Sequence, residues 1–185
     1  ILVASITTFA YKVKKTHAIA EASEKPKEGG EAEDIYSMLT VEPIEVTVGS
    51  NLISMVGNED SLFMDRIVGF RKQYATEMGF VVPKVRIRDN KKLAPNAYQI
   101  QIYGTRAADG EILPDRTLAI NPGGELEKLD GIQTRDPAYG LAATWIVDDA
   151  RSAARNAGYT LVDPSTVLMT HISELTRQQS PNLLT

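Results

Sequence analysis

The chain has 185 residues with 43% hydrophobic and 24% charged side chains, which excludes collagen-like and wholly disordered proteins. A formal charge of −4 argues against a nucleic-acid-binding protein, because such proteins use a basic face to neutralise phosphates. The chain has no cysteine and only two histidines. Disulfides, thiolate zinc sites and a cysteine nucleophile are therefore excluded, and a histidine-based metal site or triad is hard to assemble.

The first ten residues are apolar, but a membrane-spanning helix needs about 20 such residues. Tyr11-Lys-Val-Lys-Lys15 follows, and an aromatic residue before several cations is typical of the cytoplasmic end of a spanning helix. Since the chain does not begin with Met, we expect a fragment in which residues 1–10 end the last transmembrane helix. The start of an ordinary amphipathic helix fits the same residues.

Residues 11–41 predict a flexible linker. The segment 21–34 is rich in charge and contains proline and paired glycines, so it has almost nothing to bury. A short apolar patch follows at Ile35, Tyr36, Met38 and Leu39. This patch is either a docking segment at the end of the linker or the first helical turn of the domain.

The next segment predicts a mixed sheet with a helix on one face. Ile44–Val48 alternates apolar and polar residues, as a half-buried strand does. Residues 58–61 supply helix-capping side chains, and apolar residues then recur at helical spacing at Phe63, Ile67, Phe70, Tyr74 and Met78. Strands are expected at 81–88, 97–103 and 111–113, with a turn at Asp109-Gly110 before the last of them.

The following residues predict a small inserted unit. Strands are expected at 117–120, 144–147 and 159–162, with a loop over 125–140 and a short helix after Asp148. Asp163 and Pro164 then begin a helix with an inward stripe at Val167, Leu168, His171, Ile172 and Leu175. We predict an α+β fold: a first subdomain of residues 42–114 and 164–185, carrying a strand–strand–helix–strand subdomain at 115–163.

Motifs for bond-making chemistry are missing from the sequence. It contains no GxxxxGK[ST] phosphate loop and no GxSxG nucleophile elbow, so we expect neither an enzyme nor a cofactor or metal site. His171 lies on an apolar stripe and is read as a satisfied, partly buried imidazole. Arg86 and Arg88 are expected to point outward from a strand, which fits a solvated face, pairing with carboxylates across subunits, or an RNA platform.

One set of residues fits recognition of a partner. Asp136-Pro-Ala-Tyr-Gly140 is expected to form a rigid loop that presents an aromatic ring. Val162, Val167 and Thr170 follow near the predicted junction of the two subdomains. These residues form either a small apolar docking site with a carboxylate and a hydroxyl at its edge, or an inter-domain packing seam.

Several segments in order resemble the flagellar/hypersensitive-response/invasion export protein family over residues 41–178. They are Val81-Val-Pro-Lys-Val-Arg-Ile-Arg-Asp-Asn90, Leu93-Ala-Pro-Asn-Ala-Tyr98, Gly110-Glu111, Leu118-Ala-Ile-Asn-Pro122, Asp136-Pro-Ala-Tyr-Gly-Leu141, Trp145-Ile146, Gly158-Tyr-Thr-Leu-Val-Asp163 and Thr170-His-Ile-Ser-Glu174. The resemblance implies the large inner-membrane component of a type III export gate. Its cytoplasmic part has four subdomains and forms a nine-membered ring, and this chain would hold the linker and the first two.

The resemblance also implies the partners. Export chaperones carrying late flagellar substrates would dock in a hydrophobic dimple between the two subdomains, and other export-apparatus components, including the ATPase complex, would bind the gate. The dimple positions fall on Asp136, Tyr139 and Thr170, with an apolar lining at Pro122, Val162 and Val167. The family commonly has phenylalanine where this chain has Tyr139, and a proline-alanine pair where it has residues 142–143. The alternatives are the homologous protein of a virulence secretion system and a nucleic-acid-binding α+β module.

Overall fold

The computed structural model describes residues 41–57 and 62–183. The predicted end of a transmembrane helix at 1–10, almost all of the predicted linker, and the capping residues 58–61 lie outside these ranges. Residues from Val41 onward form one compact unit. No helix in the described ranges is long and apolar enough to span a membrane.

The first sheet has four strands in the order β2-β1-β3-β4. They are β1 (Ile44–Val48), β2 (Val85–Asp89), β3 (Ala97–Ile102) and β4 (Thr105–Glu111). β1 pairs in parallel with β2 and antiparallel with β3, so the sheet is mixed, as predicted. A 3-10 turn at Ser50–Leu52 and the helices α1 (Ile53–Val56) and α2 (Leu62–Met78) connect β1 to β2.

The second sheet also has four strands, in the order β6-β7-β5-β8. They are β5 (Thr117–Ile120), β6 (Ile132–Arg135), β7 (Ala142–Ile146) and β8 (Thr160–Val162), and every pairing is antiparallel. A 3-10 turn at Asp148–Ala150 and the short helix α3 (Arg151–Asn156) precede β8. All of these elements fall within residues 115–163, the range predicted for the inserted subdomain.

The chain then returns to the first sheet through α4 (Pro164–Gln178), followed by one turn, α5 (Ser180–Leu183). The start of α4 confirms the sequence prediction: Asp163 accepts a hydrogen bond from the Thr166 amide, and Pro164 occupies the first turn. Its predicted inward stripe is buried throughout: Val167, Leu168, His171, Ile172 and Leu175.

One hydrophobic cluster joins the two sheets. Ile44 and Tyr98 of the first sheet, Leu118 and Trp145 of the second, and Ile172 of α4 all belong to it and are at most 4% exposed. The division into two subdomains therefore stays a prediction, because the core is continuous across the proposed boundary.

Two local predictions are wrong. Asp109-Gly110 does not form a turn but lies inside β4; the hairpin turns instead at Tyr103 and Gly104, both with positive φ (46° and 74°). Two such residues build the tight turn whose twist suits a hairpin. Gly110 serves close packing, because a Cβ placed there would be 2.5 Å from the Tyr98 hydroxyl oxygen.

The segment 125–140, predicted as a loop, contains β6. The inserted unit is therefore strand–strand–strand–helix–strand, with one strand more than expected. β6 is an edge strand whose residues are exposed or half-buried, so it carries none of the apolar alternation that identifies a half-buried strand.

The polar face of the first sheet shows what the outward arginines do. Arg86 forms an ion pair with Glu42 at 2.6 Å, and Arg88 forms one with Glu45 at 3.1 Å. Both cations are thus paired with carboxylates of the same chain, whereas the sequence pattern suggested pairing across subunits.

Candidate functional site

A groove of about 320 Å³ lies between α2 and α4. Its lining comes from α2, from α4 and from one loop residue of the second sheet: Phe70, Gln73, Tyr74, Glu77, Met78, Tyr139, Met169, Thr170, Ser173, Glu174 and Arg177. We refer to it as the α2–α4 groove. Its aromatic residues, methionines and arginine belong to types that are enriched in protein interfaces, and they lie beside two acids.

The first wall is the C-terminal half of the apolar stripe on α2. Phe63 and Ile67 are buried in the core, whereas Phe70 is half-buried and Met78 is 52% exposed. Tyr74 sits between them with its ring held by edge-on contacts, 5.5 Å between centroids to Phe70 and 5.2 Å to Phe80. The same periodic stripe therefore packs the core at one end and lines the groove at the other.

Tyr139 stands at the groove on a tight turn between β6 and β7. Its side chain is 62% exposed, while that of Asp136 is only 3% exposed. Asp136 accepts a hydrogen bond from the Tyr139 amide through Oδ2 (2.8 Å) and one from the Gly140 amide through its carbonyl (2.8 Å). Gly140 has a φ of 69°, which glycine adopts without strain. A buried carboxylate thus fixes the loop that presents an exposed aromatic ring.

Thr170 lines the opposite wall, and the next residue of α4 points into the core. His171 Nδ1 lies 2.6 Å from the Tyr98 hydroxyl, and the two rings meet edge-on. Burial lowers the pKa of His171 and raises that of Tyr98. The charges of Asp136 and Asp109 act on both residues, so these carboxylates lie near the pair. At neutral pH the core behind the groove therefore holds a neutral imidazole bonded to a neutral phenol.

The polar end of the groove is organised around Arg177. Its guanidinium donates to both carboxylate oxygens of Glu174, at 3.1 Å from Nε and 2.6 Å from Nη2, and Gln178 donates to the same carboxylate at 2.9 Å. These hydrogen bonds lower the pKa of Glu174 and raise that of Arg177, to which Tyr139 and Tyr74 also contribute. Arg177 therefore lies close to both groove tyrosines.

The structure brings two of the six predicted site residues into this groove, Tyr139 and Thr170. Asp136 and Val167 are buried, at 3% and 1% exposure, and do not line it. Val162 is half-buried against the core, and Pro122 is exposed; neither is part of the groove lining. The role of all six in binding a partner stays a prediction.

Sequence reasoning missed most of the apolar and charged lining. The helical spacing of Phe70, Tyr74 and Met78 predicts a helix but not that they line a groove, and no sequence pattern points to Met169. Glu174 and Arg177 are three residues apart on α4, the spacing at which helical side chains meet, and this signal is readable from the sequence.

In the described ranges no group of three or more His, Asp or Glu side chains is arranged to hold a metal ion. His171 and Tyr98, whose pKa values are shifted by burial, are hydrogen-bonded to each other in the core.

Residues 1–185 match the FHIPEP family. The chain belongs to that family. It is 42% identical over 153 residues to the flagellar biosynthesis protein FlhA of Bacillus subtilis (strain 168), a match that covers 82% of this chain and 23% of the relative. The chain thus spans about a quarter of the length of such relatives, and the predicted family is confirmed.

Solved structures share the fold at low identity. The structure of the Chlamydia pneumoniae CdsV protein superimposes with a TM-score of 0.65 at 22% identity, covering 78% of this chain and 44% of that one. The nonameric EscV cytosolic domain from the type III secretion system gives a TM-score of 0.52 at 14% identity, covering 78% of this chain and 41% of that one. The α+β fold predicted for this FHIPEP chain is thereby confirmed.

Proposed function

We propose that this chain is a cytoplasm-facing part of a flagellar type III protein export gate, and that its α2–α4 groove docks export chaperones carrying late substrates. The observation that carries the proposal is the hydrogen bond from the Tyr139 amide to a buried carboxylate, which fixes the turn that presents the exposed Tyr139 ring. Asp136 is buried and accepts a hydrogen bond from the Tyr139 amide, and this bond holds the Tyr139 ring at the α2–α4 groove. A rigid, exposed aromatic beside an apolar groove is the usual anchor of a protein interface.

The binding step follows from the two walls. Apolar side chains of a docking segment, either an amphipathic helix or an extended strand, bury against Tyr139, Met78 and Phe70. Thr170 supplies a hydroxyl at the rim and fixes register. Asp136 acts as a positioning residue, because it is buried and bonded to the turn.

The groove is small, so a single contact is expected to be weak, which suits a carrier that must release its cargo. Assembly of nine copies into a ring would raise the effective concentration of docking sites. The nonameric state of the EscV cytosolic domain, which has the same fold, supports this arrangement.

The remaining parts of the proposal concern the chain's place in the cell. The gate lies in the bacterial inner membrane with this part on its cytoplasmic side, and the ATPase complex and other gate components are further partners. The domain acts by binding and catalyses no reaction. Identity of 37–44% to proteins named FlhA favours a flagellar gate over a virulence secretion system.

The test is a calorimetric titration of a flagellar chaperone–late-substrate complex onto the 185-residue chain and onto Tyr139→Ala. We expect the substitution to weaken binding by about 2 kcal/mol, typical of an aromatic anchor. Tyr103→Ala is the matched control, since Tyr103 is also exposed (41%) but does not line the groove. Equal affinities for wild type and Tyr139→Ala would exclude this groove as the docking site.

A further inference from the structure

Tyr74 lines the α2–α4 groove, and its buried hydroxyl group is unsatisfied. Its side chain is 5% exposed, and its hydroxyl oxygen is the one fully buried side-chain polar atom without a hydrogen-bond partner among the described residues. Leaving such a group unsatisfied destabilises a folded protein, so each case in a native structure requires an explanation. The edge-on contacts to Phe70 and Phe80 hold the ring in place.

The groove beside Tyr74 favours one kind of incoming group. Arg177 uses Nε and Nη2 on Glu174, and within the described ranges Nη1 has no hydrogen-bond partner. An arginine only donates hydrogen bonds, so a group that enters this corner must accept them. A phenol can donate to the same oxygen.

The charge of the groove narrows the choice further. Glu77 and Glu174 line it together with Arg177, so its charged residues sum to −1. An incoming carboxylate would meet two acids, whereas a neutral acceptor meets no such repulsion. An amide carbonyl oxygen, from the backbone or from an Asn or Gln side chain, is the neutral acceptor that proteins offer most often.

We propose that the docked partner supplies an amide carbonyl oxygen to the Tyr74 hydroxyl, which makes Tyr74 a specificity-determining residue of the α2–α4 groove. The inference rests on the proposed function of the groove. The hydroxyl oxygen is covered in the free protein, so docking must displace a neighbouring side chain. Met78 and Met169 line the same groove, and unbranched methionine side chains change rotamer readily.

The test uses Tyr74→Phe in the 185-residue chain, with chaperone–late-substrate complex as the probe and thermal unfolding as a second readout. Binding should weaken by about three- to tenfold, the equivalent of one neutral hydrogen bond. The free protein should melt at a higher temperature, because the substitution removes an unsatisfied buried hydroxyl. Tyr103→Phe, an exposed tyrosine outside the groove, should change neither quantity.

Other results overturn the inference. One such result is that wild type binds, Tyr139→Ala binds more weakly and Tyr74→Phe binds as wild type does. The groove would then dock the partner, but the Tyr74 hydroxyl would make no contribution to its recognition. A lower melting temperature for Tyr74→Phe would show that the hydroxyl stabilises the free fold. Absence of binding to the wild-type chain would overturn this inference and the proposed function together.

The source of the oxygen is found by substituting Asn and Gln residues of the docking segment with Leu, one at a time. If a side-chain amide supplies the acceptor oxygen, one of these variants abolishes the difference in affinity between wild type and Tyr74→Phe. If the backbone provides it, the difference persists in all of them.

Discussion

The backbone amide of Tyr139 donates a hydrogen bond to Oδ2 of Asp136 across 2.8 Å. One of these residues is 62% exposed and the other 3%. Tyr139 therefore presents its ring to solvent, whereas the buried carboxylate of Asp136 holds the backbone of Tyr139 in place. Substitutions at the two positions should therefore differ in kind.

We expect Asp136→Ala to weaken partner binding nearly as much as Tyr139→Ala, because the unpaired Tyr139 amide releases the turn. Asp136→Asn retains an oxygen that can accept the same bond, so its affinity should stay within about threefold of wild type. Titration of the chaperone–substrate complex measures both. Hydrogen exchange at the Tyr139 amide should accelerate in the alanine variant alone. Equal losses for Asn and Ala, with an unchanged exchange rate, would instead indicate that the carboxylate charge meets the partner.

Gly110→Ala should destabilise the fold. The new Cβ would lie 2.5 Å from the Tyr98 hydroxyl oxygen, and that hydroxyl cannot move freely because it is bonded to His171. Overpacking of this kind destabilises by about 1–3 kcal/mol, measurable by urea unfolding. Gly69→Ala is the matched control: this glycine lies in α2 with open space around it. Replacing it should stabilise by about 0.5–1 kcal/mol. A neutral Gly110→Ala would show that Tyr98 can repack.

Stability should fall on mild acidification because of His171. Burial places its folded-state pKa below the ordinary value of 6.5, against the opposing charges of Asp136 and Asp109. The unfolded chain then binds more protons than the folded one between these two pKa values. Stability is therefore full above pH 6.5 and is lost as the pH falls from there through the folded-state pKa.

Chemical unfolding of wild type and His171→Gln between pH 8 and pH 5 measures this loss. The glutamine oxygen can accept the Tyr98 hydrogen bond but does not titrate, so the slope below pH 6.5 should be shallower in the variant. Above pH 6.5 the two proteins should show the same slope, because His171 is neutral there in both the folded and the unfolded chain. Identical slopes for wild type and His171→Gln would assign the acid sensitivity to other groups.

Asp163 should act as a second, lower-pH titrating group. Partial burial opposes its charge, but hydrogen bonds from Ser165 and Thr166, with the nearby Arg66, bring its pKa to about 2. Its contribution is therefore full above about pH 4 and disappears as the pH falls toward 2. The carboxylate is half exposed, so Asp163→Asn should lose less than about 1 kcal/mol at neutral pH.

The substitutions at Asp163 separate charge from capping. Asn still caps a helix, whereas Asp163→Ala also removes the cap and should lose about 1 kcal/mol more. Unfolding free energies at pH 7 and near pH 2.5 distinguish the two contributions. The gap between wild type and Asp163→Asn should narrow at the lower pH. A constant gap would mean that the carboxylate titrates normally.

Local patterns in the sequence predicted the elements that bury one regular face. The apolar stripe of α4 and its Asp163-Pro164 start are confirmed because capping and helical periodicity are encoded within a few residues. β6 was not predicted because its residues are exposed or half-buried, so the sequence there lacks the apolar alternation that identifies a strand. The role of Gly110 escaped it because the reason for a glycine there is the side chain of Tyr98 on another strand.

The candidate site shows the same limit. Motif resemblance placed Tyr139 and Thr170 together, and they do line one groove. The α2 wall could not be separated from the core by periodicity, since Tyr74 and Met78 continue the stripe of Phe63 and Ile67. Which turns of an apolar stripe are covered depends on where the neighbouring elements end, and that is settled only in three dimensions.

Leu118 and Trp145 of the second sheet lie in the same cluster as Ile44 and Tyr98 of the first. Deleting residues 115–163 would expose the apolar side chains that each sheet buries against the other. Neither part is therefore expected to fold alone. Residues 41–183 should unfold in a single cooperative transition. Unfolding would then disrupt Tyr139, α2 and α4 at the same time. An intact docking surface would therefore show that the whole unit is folded.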